Sequence, residues 1–153
     1  MSAKELNVIN PWDESVYATL PMLDADGVNA VVARARAAFE QWRWSSHAER
    51  RALCEAFVRE FEAMGPQVAA DITGQMGKPL SQSRNEVNGM LDRSRHMIAI
   101  AESTLADEYL PEKPSFIRYI RHEPLGVVLD IAAWNYPLLI ALNVVIPAVL
   151  AGN

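Results

Sequence analysis

The sequence predicts an α/β fold in which a series of helices precedes the first strand and helix of a parallel sheet. Three observations favour this class. Apolar side chains recur at helical spacing over much of residues 26–105. Residues 126–133, GVVLDIAA, are almost uniformly apolar, as in a strand covered on both faces. Residues 138–150 follow as an apolar helix, and a strand, tight turn and helix in this order open a βαβ unit.

Composition and charge exclude several classes of protein. The 153 residues are 50% hydrophobic and 22% charged, which is typical of a globular chain and not of a disordered one. The net charge of -5 and the scattered Lys and Arg residues provide no basic surface for nucleic acid or an anionic membrane. We therefore expect no nucleic-acid or membrane partner.

Cysteine and histidine usage bounds the redox compartment and the metal chemistry. The single cysteine, Cys54, excludes an intrachain disulfide and a multi-thiolate metal site, and the three histidines show no ligand spacing. Cys54 lies within a predicted helix, so we expect a buried, inert thiol and not a nucleophile. The N-terminus lacks the apolar core of a secretory signal. The sequence predicts a cytoplasmic protein without a metal site.

The first predicted element is a β-hairpin over residues 6–24. Two short segments rich in β-branched and aromatic residues flank an Asn10-Pro11 turn. From Asp26 the apolar residues recur every three or four positions up to Trp42, which predicts an amphipathic helix.

Three further helices are predicted within the helical segment 26–105. Ser46 and Glu49 form a capping box, which starts the second helix. Gly65-Pro66 predicts its end, and a short third helix then ends at Gly77. Ser83 to Glu86 repeats the capping pattern before a longer fourth helix. Residues 77–79, Gly-Lys-Pro, are interpreted as a helix stop, because Lys78 does not stand in a GxxxxGK[ST] phosphate loop.

Residues 116–121 and 126–133 predict two strands, and residues 138–150 predict an apolar helix. A parallel strand needs neighbours on its edges, and none follows. We therefore expect this chain to be part of a longer one, with the apolar helix and a strand edge exposed in isolation. One alternative is a small helical domain that encloses the segment. Another is a membrane span over residues 131–151, although the helical part is shorter than the ~20 residues that a span needs.

The landmarks of residues 124–153 occur in an order typical of one enzyme family. They are Pro-x-Gly-Val at 124–127, Trp-Asn-Tyr-Pro at 134–137 and Pro-Ala-Val-x-x-Gly-Asn at 147–153. Upstream landmarks agree, including Phe-x-x-Trp at 39–42, Gly-Lys-Pro at 77–79 and Arg-His-Glu-Pro at 121–124. The chain resembles the N-terminal portion of the aldehyde dehydrogenase superfamily, cut off before the catalytic residues.

The resemblance implies a fold and an assembly. Residues 116–121 would be a strand of the oligomerisation arm, and residues 126–153 the first strand and helix of a Rossmann-like cofactor domain. The intact enzyme would be a homo-oligomer that acts on a small-molecule aldehyde. An alternative is a non-catalytic truncated subunit, or an interaction module that pairs with a full-length enzyme.

The resemblance also implies a reaction and site residues. The enzyme would oxidise an aldehyde to a carboxylic acid with NAD or NADP through a cysteine thiohemiacetal and thioester. The catalytic Cys and Glu are absent from this chain, so the isolated chain is predicted to be inactive. Asn135 would donate to the oxyanion, and the cofactor would contact Ile131, Ala132, Ala133 and Trp134. On residue chemistry alone, Asn135 is also an ordinary turn residue and Trp134 a cap on the core.

Overall fold

A hairpin, three long helices, a short strand pair and a final apolar helix follow one another along the chain. The computed structural model describes residues 4–153. Its elements are β1 (Glu5–Ile9), β2 (Val16–Pro21), α1 (Ala25–Trp42), α2 (His47–Met76), α3 (Leu80–Leu105), β3 (Glu108–Tyr109), β4 (Tyr119–Ile120) and α4 (Pro137–Leu150). This mixture of helices and short strands confirms the predicted α/β class.

The N-terminal hairpin pairs β1 with β2 in antiparallel register, as the sequence predicted. It docks on α2 through Tyr17, whose hydroxyl donates to Asp71 Oδ1 at 2.7 Å. The Tyr17 ring lies against Gly74, where an added Cβ would come within 2.1 Å of the ring. Glycine at this position therefore allows the hairpin to approach the helix.

Side-chain caps begin the first two helices. The Asp24 carboxylate accepts a hydrogen bond from Gly27 N at 2.8 Å at the start of α1. At the start of α2, Ser46 Oγ accepts from Glu49 N at 3.2 Å, and the Glu49 carboxylate accepts from Ser46 N at 2.7 Å. The predicted capping box is confirmed, and both caps satisfy amides that have no partner within the helix.

The predicted break at Gly65-Pro66 is wrong, because α2 continues through both residues to Met76. Gly65 is buried, and a Cβ added there would lie 3.4 Å from Val87 of α3, so glycine allows close packing of the two helices. Pro66 costs the helix one backbone hydrogen bond, and burial of α2 against α3 outweighs this loss. The helix ends at Gly77, which is left-handed with φ 73°, as predicted.

The predicted capping signal at residues 83–86 is also wrong. Helix α3 already begins at Leu80, and Pro79 precedes it without a side-chain cap. Ser83 and Glu86 are buried within the helix, and the Ser83 hydroxyl lies 3.0 Å from that of Thr73 on α2. Residues 25–105 therefore form three helices and not four.

The core lies where α2, α3 and α4 pack together. Its buried apolar residues are Cys54, Val58, Ala69 and Ile72 from α2; Val87, Met90, Leu91, Ile98 and Ala101 from α3; and Leu142, Ile146 and Leu150 from α4. Full burial of a Leu or Ile side chain contributes about 1.5–3 kcal/mol, so the three α4 residues hold this helix firmly on the bundle. Helix α1 contributes no buried residue.

The two predicted strands after residue 115 are largely absent. Of residues 116–121, Tyr119 and Ile120 are in a strand, β4, which pairs with β3 in antiparallel register. Residues 126–133 have no regular secondary structure. Within residues 4–153 no other strand lies beside this segment, and a strand requires a hydrogen-bonded neighbour.

The segment before α4 remains at the surface. Leu129 and Ile131 are 82% and 84% exposed. The bundle therefore does not enclose residues 126–133, as the alternative of a small helical domain requires. It does cover one side of α4, so the expectation that this helix is exposed is wrong for the side that carries Leu142, Ile146 and Leu150. In the range 4–153, no helix has both the length and the apolar character needed to cross a bilayer.

Candidate functional site

The predicted site lies on the turn between residues 126–133 and α4. Trp134 and Asn135 form a turn, and Tyr136 precedes the helix with φ -138° and ψ 64°. Pro137 occupies the first helical position, where its fixed φ suits the helix and its missing N–H is no loss. The first helical hydrogen bond runs from Ile140 N to Tyr136 O at 3.0 Å. The turn therefore runs directly into the first turn of α4.

The structure places the predicted site residues together on one exposed stretch. The side chain of Asn135 is accessible, as are those of Ala132 and Ala133. Trp134 is 78% exposed and therefore does not cap the core. The proposed roles of these residues as oxyanion donor and cofactor contacts stay predictions.

A buried ion pair lies directly beneath this turn. Lys78 Nζ contacts Glu86 Oε2, and the two side chains are 8% and 0% exposed. Lys78 also donates to the backbone carbonyl of Asn135 at 2.9 Å and lies 3.9 Å from the centre of the Tyr136 ring. Glu86 Oε1 accepts from Leu138 N at 3.0 Å. The pair thus contacts the chain on both sides of Pro137.

This ion pair was not predicted from the sequence, in which Gly77-Lys78-Pro79 was interpreted as a helix stop. That interpretation is correct for the backbone, because Gly77 ends α2, but it overlooked the side chain that follows. One signal was available: Glu86 shares the apolar stripe of α3 with Val87 and Met90. A carboxylate on a buried stripe is rare unless it has a partner.

A second set of unpredicted contacts holds the other end of α4. Asn153 Oδ1 accepts from Leu125 N at 2.6 Å and from Gly126 N at 3.0 Å, which ties the start of the 126–133 segment to the helix exit. Arg50 of α2 donates to Leu150 O at 3.4 Å. Gly152, left-handed with φ 89°, leaves room for this guanidinium. Both ends of the segment and its helix are therefore anchored on the bundle.

Cys54 lies in the core, away from this site, as predicted. Cys54 is 2% exposed, and burial raises the pKa of its thiol to about 11. At neutral pH the thiol is protonated, and the thiolate is the nucleophilic form. Cys54 is therefore unsuited to attack a carbonyl.

An open apolar groove of about 320 Å³ runs between α1 and α4. Its walls include Ala35, Phe39 and Trp42 of α1, Val145 and Val149 of α4, and Val128. Residues 131–137 do not line it. The groove is therefore separate from the exposed turn that carries Asn135.

Comparison with known proteins identifies the family. The model of the aldehyde dehydrogenase family matches residues 1–153. The chain belongs to the aldehyde dehydrogenase family. Its turn, ion pair and final helix are thus features of an aldehyde dehydrogenase chain.

Named aldehyde dehydrogenases are similar to the chain over nearly its whole length. A succinate-semialdehyde dehydrogenase [NADP(+)] from Mycobacterium avium is 39% identical over 149 residues, which is 95% of this chain and 31% of that protein. A succinate-semialdehyde dehydrogenase [NADP(+)] 1 from Mycobacterium tuberculosis is 35% identical over 149 residues, 95% of this chain and 32% of that protein. The chain spans about a third of the length of these curated relatives.

A solved structure shows the same fold at lower identity. Glyceraldehyde-3-phosphate dehydrogenase from Methanocaldococcus jannaschii, crystallised with NADP, has a TM-score of 0.91 and is 22% identical. The match covers 100% of this chain and 33% of that one. The arrangement of hairpin, helices and final apolar helix is therefore that of the aldehyde dehydrogenase fold.

Proposed function

We propose that residues 1–153 contribute the oxyanion donor and part of the cofactor surface of an enzyme that oxidises an aldehyde to a carboxylic acid with NAD+ or NADP+. The observation that carries this proposal is the exposed Asn135 side chain on a turn held from beneath by Lys78 and Glu86. A donor fixed before the reaction stabilises developing charge without the cost of reorganisation.

The role of Asn135 follows from the charge that develops on the substrate. When a thiolate attacks the carbonyl carbon of an aldehyde, the carbonyl π electrons move onto oxygen and a thiohemiacetal anion forms. The Nδ2–H group of Asn135 donates to this oxygen and stabilises its charge. A donor of this kind lowers the barrier by about 3–4 kcal/mol.

The exposed residues before the turn suit a nicotinamide cofactor. Ala132 and Ala133 carry no side chain beyond Cβ, so a flat ring can approach their backbone. Ile131 and Trp134 provide exposed apolar surface on either side. We assign these four residues to the cofactor surface. Held by these residues, NAD+ or NADP+ would supply the hydride acceptor for oxidation at the thiohemiacetal carbon, and hydrolysis of the thioester would complete the reaction.

The reaction needs a nucleophilic cysteine and a general-base glutamate that this chain does not supply. Its one cysteine is Cys54, and the thiol is buried with a pKa raised to about 11. An oxyanion donor without a nucleophile accelerates nothing. We therefore expect the isolated 153-residue chain to be inactive.

The exposed hairpin favours assembly with other subunits. Leu6 and Leu20, which pair across the hairpin, are both exposed, and their two strands form a complete sheet among residues 4–153. Such a sheet has two open edges to which another strand can add. We propose a homo-oligomer, with a non-catalytic pairing module as the second candidate.

We place the enzyme in the cytoplasm, where the free thiol of Cys54 persists.

A chimera tests the proposal. Residues 1–153 replace the segment that they match in the Mycobacterium avium succinate-semialdehyde dehydrogenase, and NADPH formation from succinate semialdehyde is followed at 340 nm. We expect activity within about tenfold of that parent enzyme. Because the catalytic geometry tolerates little displacement, activity at this level requires that residues 1–153 keep the geometry of the segment that they replace. The 153-residue chain alone, with the same reagents, serves as the control. A folded chimera that binds NADP+ and forms no NADPH would contradict the catalytic proposal and support the pairing module.

A further inference from the structure

We propose that Lys78 and Glu86 are positioning residues, which hold the backbone of the 134–138 turn so that the Asn135 side chain faces the reacting carbonyl. The proposal rests on the proposed function of Asn135. Neither side chain has to touch the substrate, because both act on the backbone of the turn.

Both charges of the pair are buried. The two side chains are 8% and 0% exposed, and Lys and Glu are almost never buried to this extent without a partner. A buried ion pair adds little to stability compared with apolar residues of the same volume. The pair is therefore better explained by the geometry that it imposes than by the stability that it adds.

The pair binds backbone groups of the turn. Lys78 holds the carbonyl of Asn135 and lies against the Tyr136 ring, while Glu86 holds the amide of Leu138. The two backbone contacts fix the carbonyl of Asn135 and the amide of Leu138, on either side of Tyr136 and Pro137. The hydrogen bonds remove freedom from the turn without using the Asn135 side chain, which stays available to a ligand.

Glu86 supplies the N-terminal cap that the residues next to α4 do not provide. The first amides of a helix have no partner within it. Tyr136 precedes α4 and makes no side-chain hydrogen bond to these amides. The Leu138 amide is one of them, and the Glu86 carboxylate accepts from it. The cap comes from another helix, so the start of α4 is tied to α3 as well as to its own sequence.

The pair is supported by the packed helices α2 and α3. Lys78 follows the left-handed Gly77 at the end of α2, and Glu86 lies two turns into α3. The contact between the hydroxyls of Thr73 and Ser83 at 3.0 Å joins the same two helices close by. Lys78 stands in the short connection between two packed helices, and Glu86 stands on the second of them, so the pair transmits the geometry of the bundle to an otherwise exposed turn.

Three paired substitutions separate positioning from general stability. Lys78→Met/Glu86→Leu replaces the pair by apolar groups and leaves no unpaired charge. Lys78→Met/Glu86→Gln keeps an acceptor for the Leu138 amide. Arg51→Met/Glu55→Leu removes an exposed ion pair on α2, whose side chains are 48% and 40% exposed, and serves as the matched control.

The first readout is amide hydrogen exchange at Leu138 in the 153-residue chain itself. We expect Lys78→Met/Glu86→Leu to accelerate exchange about tenfold, the factor given by one lost hydrogen bond. Lys78→Met/Glu86→Gln and the Arg51/Glu55 control should keep most of the protection. Unchanged exchange in the apolar variant would overturn the proposal, whether or not the chimera folds.

The second readout is kcat of the chimera in two backgrounds. We expect the apolar variant to lower kcat about tenfold or more when Asn135 is present, with the KM for NADP+ unchanged, and to cause no further loss in the Asn135→Ala background. Equal losses in both backgrounds would show a purely structural role and overturn the proposal. If Asn135→Ala alone leaves kcat unchanged, the proposed function fails, and the exchange result still decides whether the pair holds the turn.

Discussion

Removal of one member of the Lys78–Glu86 pair should destabilise the fold much more than removal of both. Glu86→Leu leaves the Lys78 ammonium, whose side chain is 8% exposed, without its counterion. Breaking a buried pair in this way costs about 3–5 kcal/mol. Lys78→Met leaves the carboxylate of Glu86 in the same situation, and we expect a loss of the same size.

The double variant Lys78→Met/Glu86→Leu should recover most of this loss. It gives up the hydrogen bonds to Asn135 O and Leu138 N, at about 1 kcal/mol each. When a buried pair is replaced by apolar residues of similar volume, the free energy of unfolding is either unchanged or increased by about 1–4 kcal/mol. The free energy of unfolding of the double variant is therefore within about 2 kcal/mol of that of the native chain. It is several kcal/mol above that of either single variant.

Urea unfolding of the 153-residue chain, followed by circular dichroism at low protein concentration, measures these differences. With a slope of about 1–3 kcal/mol per molar urea, a loss of 3–5 kcal/mol lowers the midpoint by about 2 M. The exposed Arg51–Glu55 pair provides the control, and its removal should shift the midpoint little. Single variants as stable as the double variant would refute the account of a buried, coupled pair.

Four further outcomes follow from the same structure. Cys54 should react slowly with iodoacetamide at pH 8 and rapidly once urea unfolds the chain, because burial raises its pKa to about 11. Because the protonated thiol is favoured in the folded state, Cys54 contributes to the free energy of unfolding below its ordinary pKa of about 8.5. Urea titrations should show this contribution decrease as the pH rises from about 8.5 through 11. A free energy of unfolding that does not change over this range would contradict the raised pKa. Gly74→Ala should undock the hairpin from α2, because the added Cβ would lie 2.1 Å from the Tyr17 ring. Protease cleavage near residue 13 should then accelerate. Cleavage at the native rate would argue against this contact. The isolated chain should bind hydrophobic dyes through its exposed groove and the 126–133 segment, and a soluble monomer without dye fluorescence would contradict that expectation.

Local signals predicted those elements of the fold whose interactions span a few residues. The capping box of Ser46 and Glu49 closes over three residues, and the left-handed Gly77 ends its own helix. Gly65-Pro66 was misinterpreted because packing against Val87 of α3, which no local rule includes, keeps the helix continuous. Sequence patterns were therefore reliable where the interacting groups are neighbours in the chain.

The candidate site divides in the same way. The turn around Asn135 was predicted from its resemblance to a family motif, and the structure leaves its side chain exposed. The contact between Lys78 and Asn135 joins residues 57 positions apart, and the contact between Glu86 and Leu138 joins residues 52 positions apart. No periodicity or spacing rule relates such positions. Their pairing depends on how α2, α3 and α4 pack, which the residues alone did not specify.

The kcat of the chimera carrying Asn135→Ala tests the central claim most directly. Asn143→Ala, at an exposed position on α4, is the matched control. We predict that Asn135→Ala lowers kcat about 10²–10³-fold and leaves the dissociation constant of NADP+ unchanged, whereas the control retains both the parent kcat and the parent dissociation constant. A folded Asn135→Ala chimera that turns over at the rate of its parent would contradict the assignment of this amide to the oxyanion.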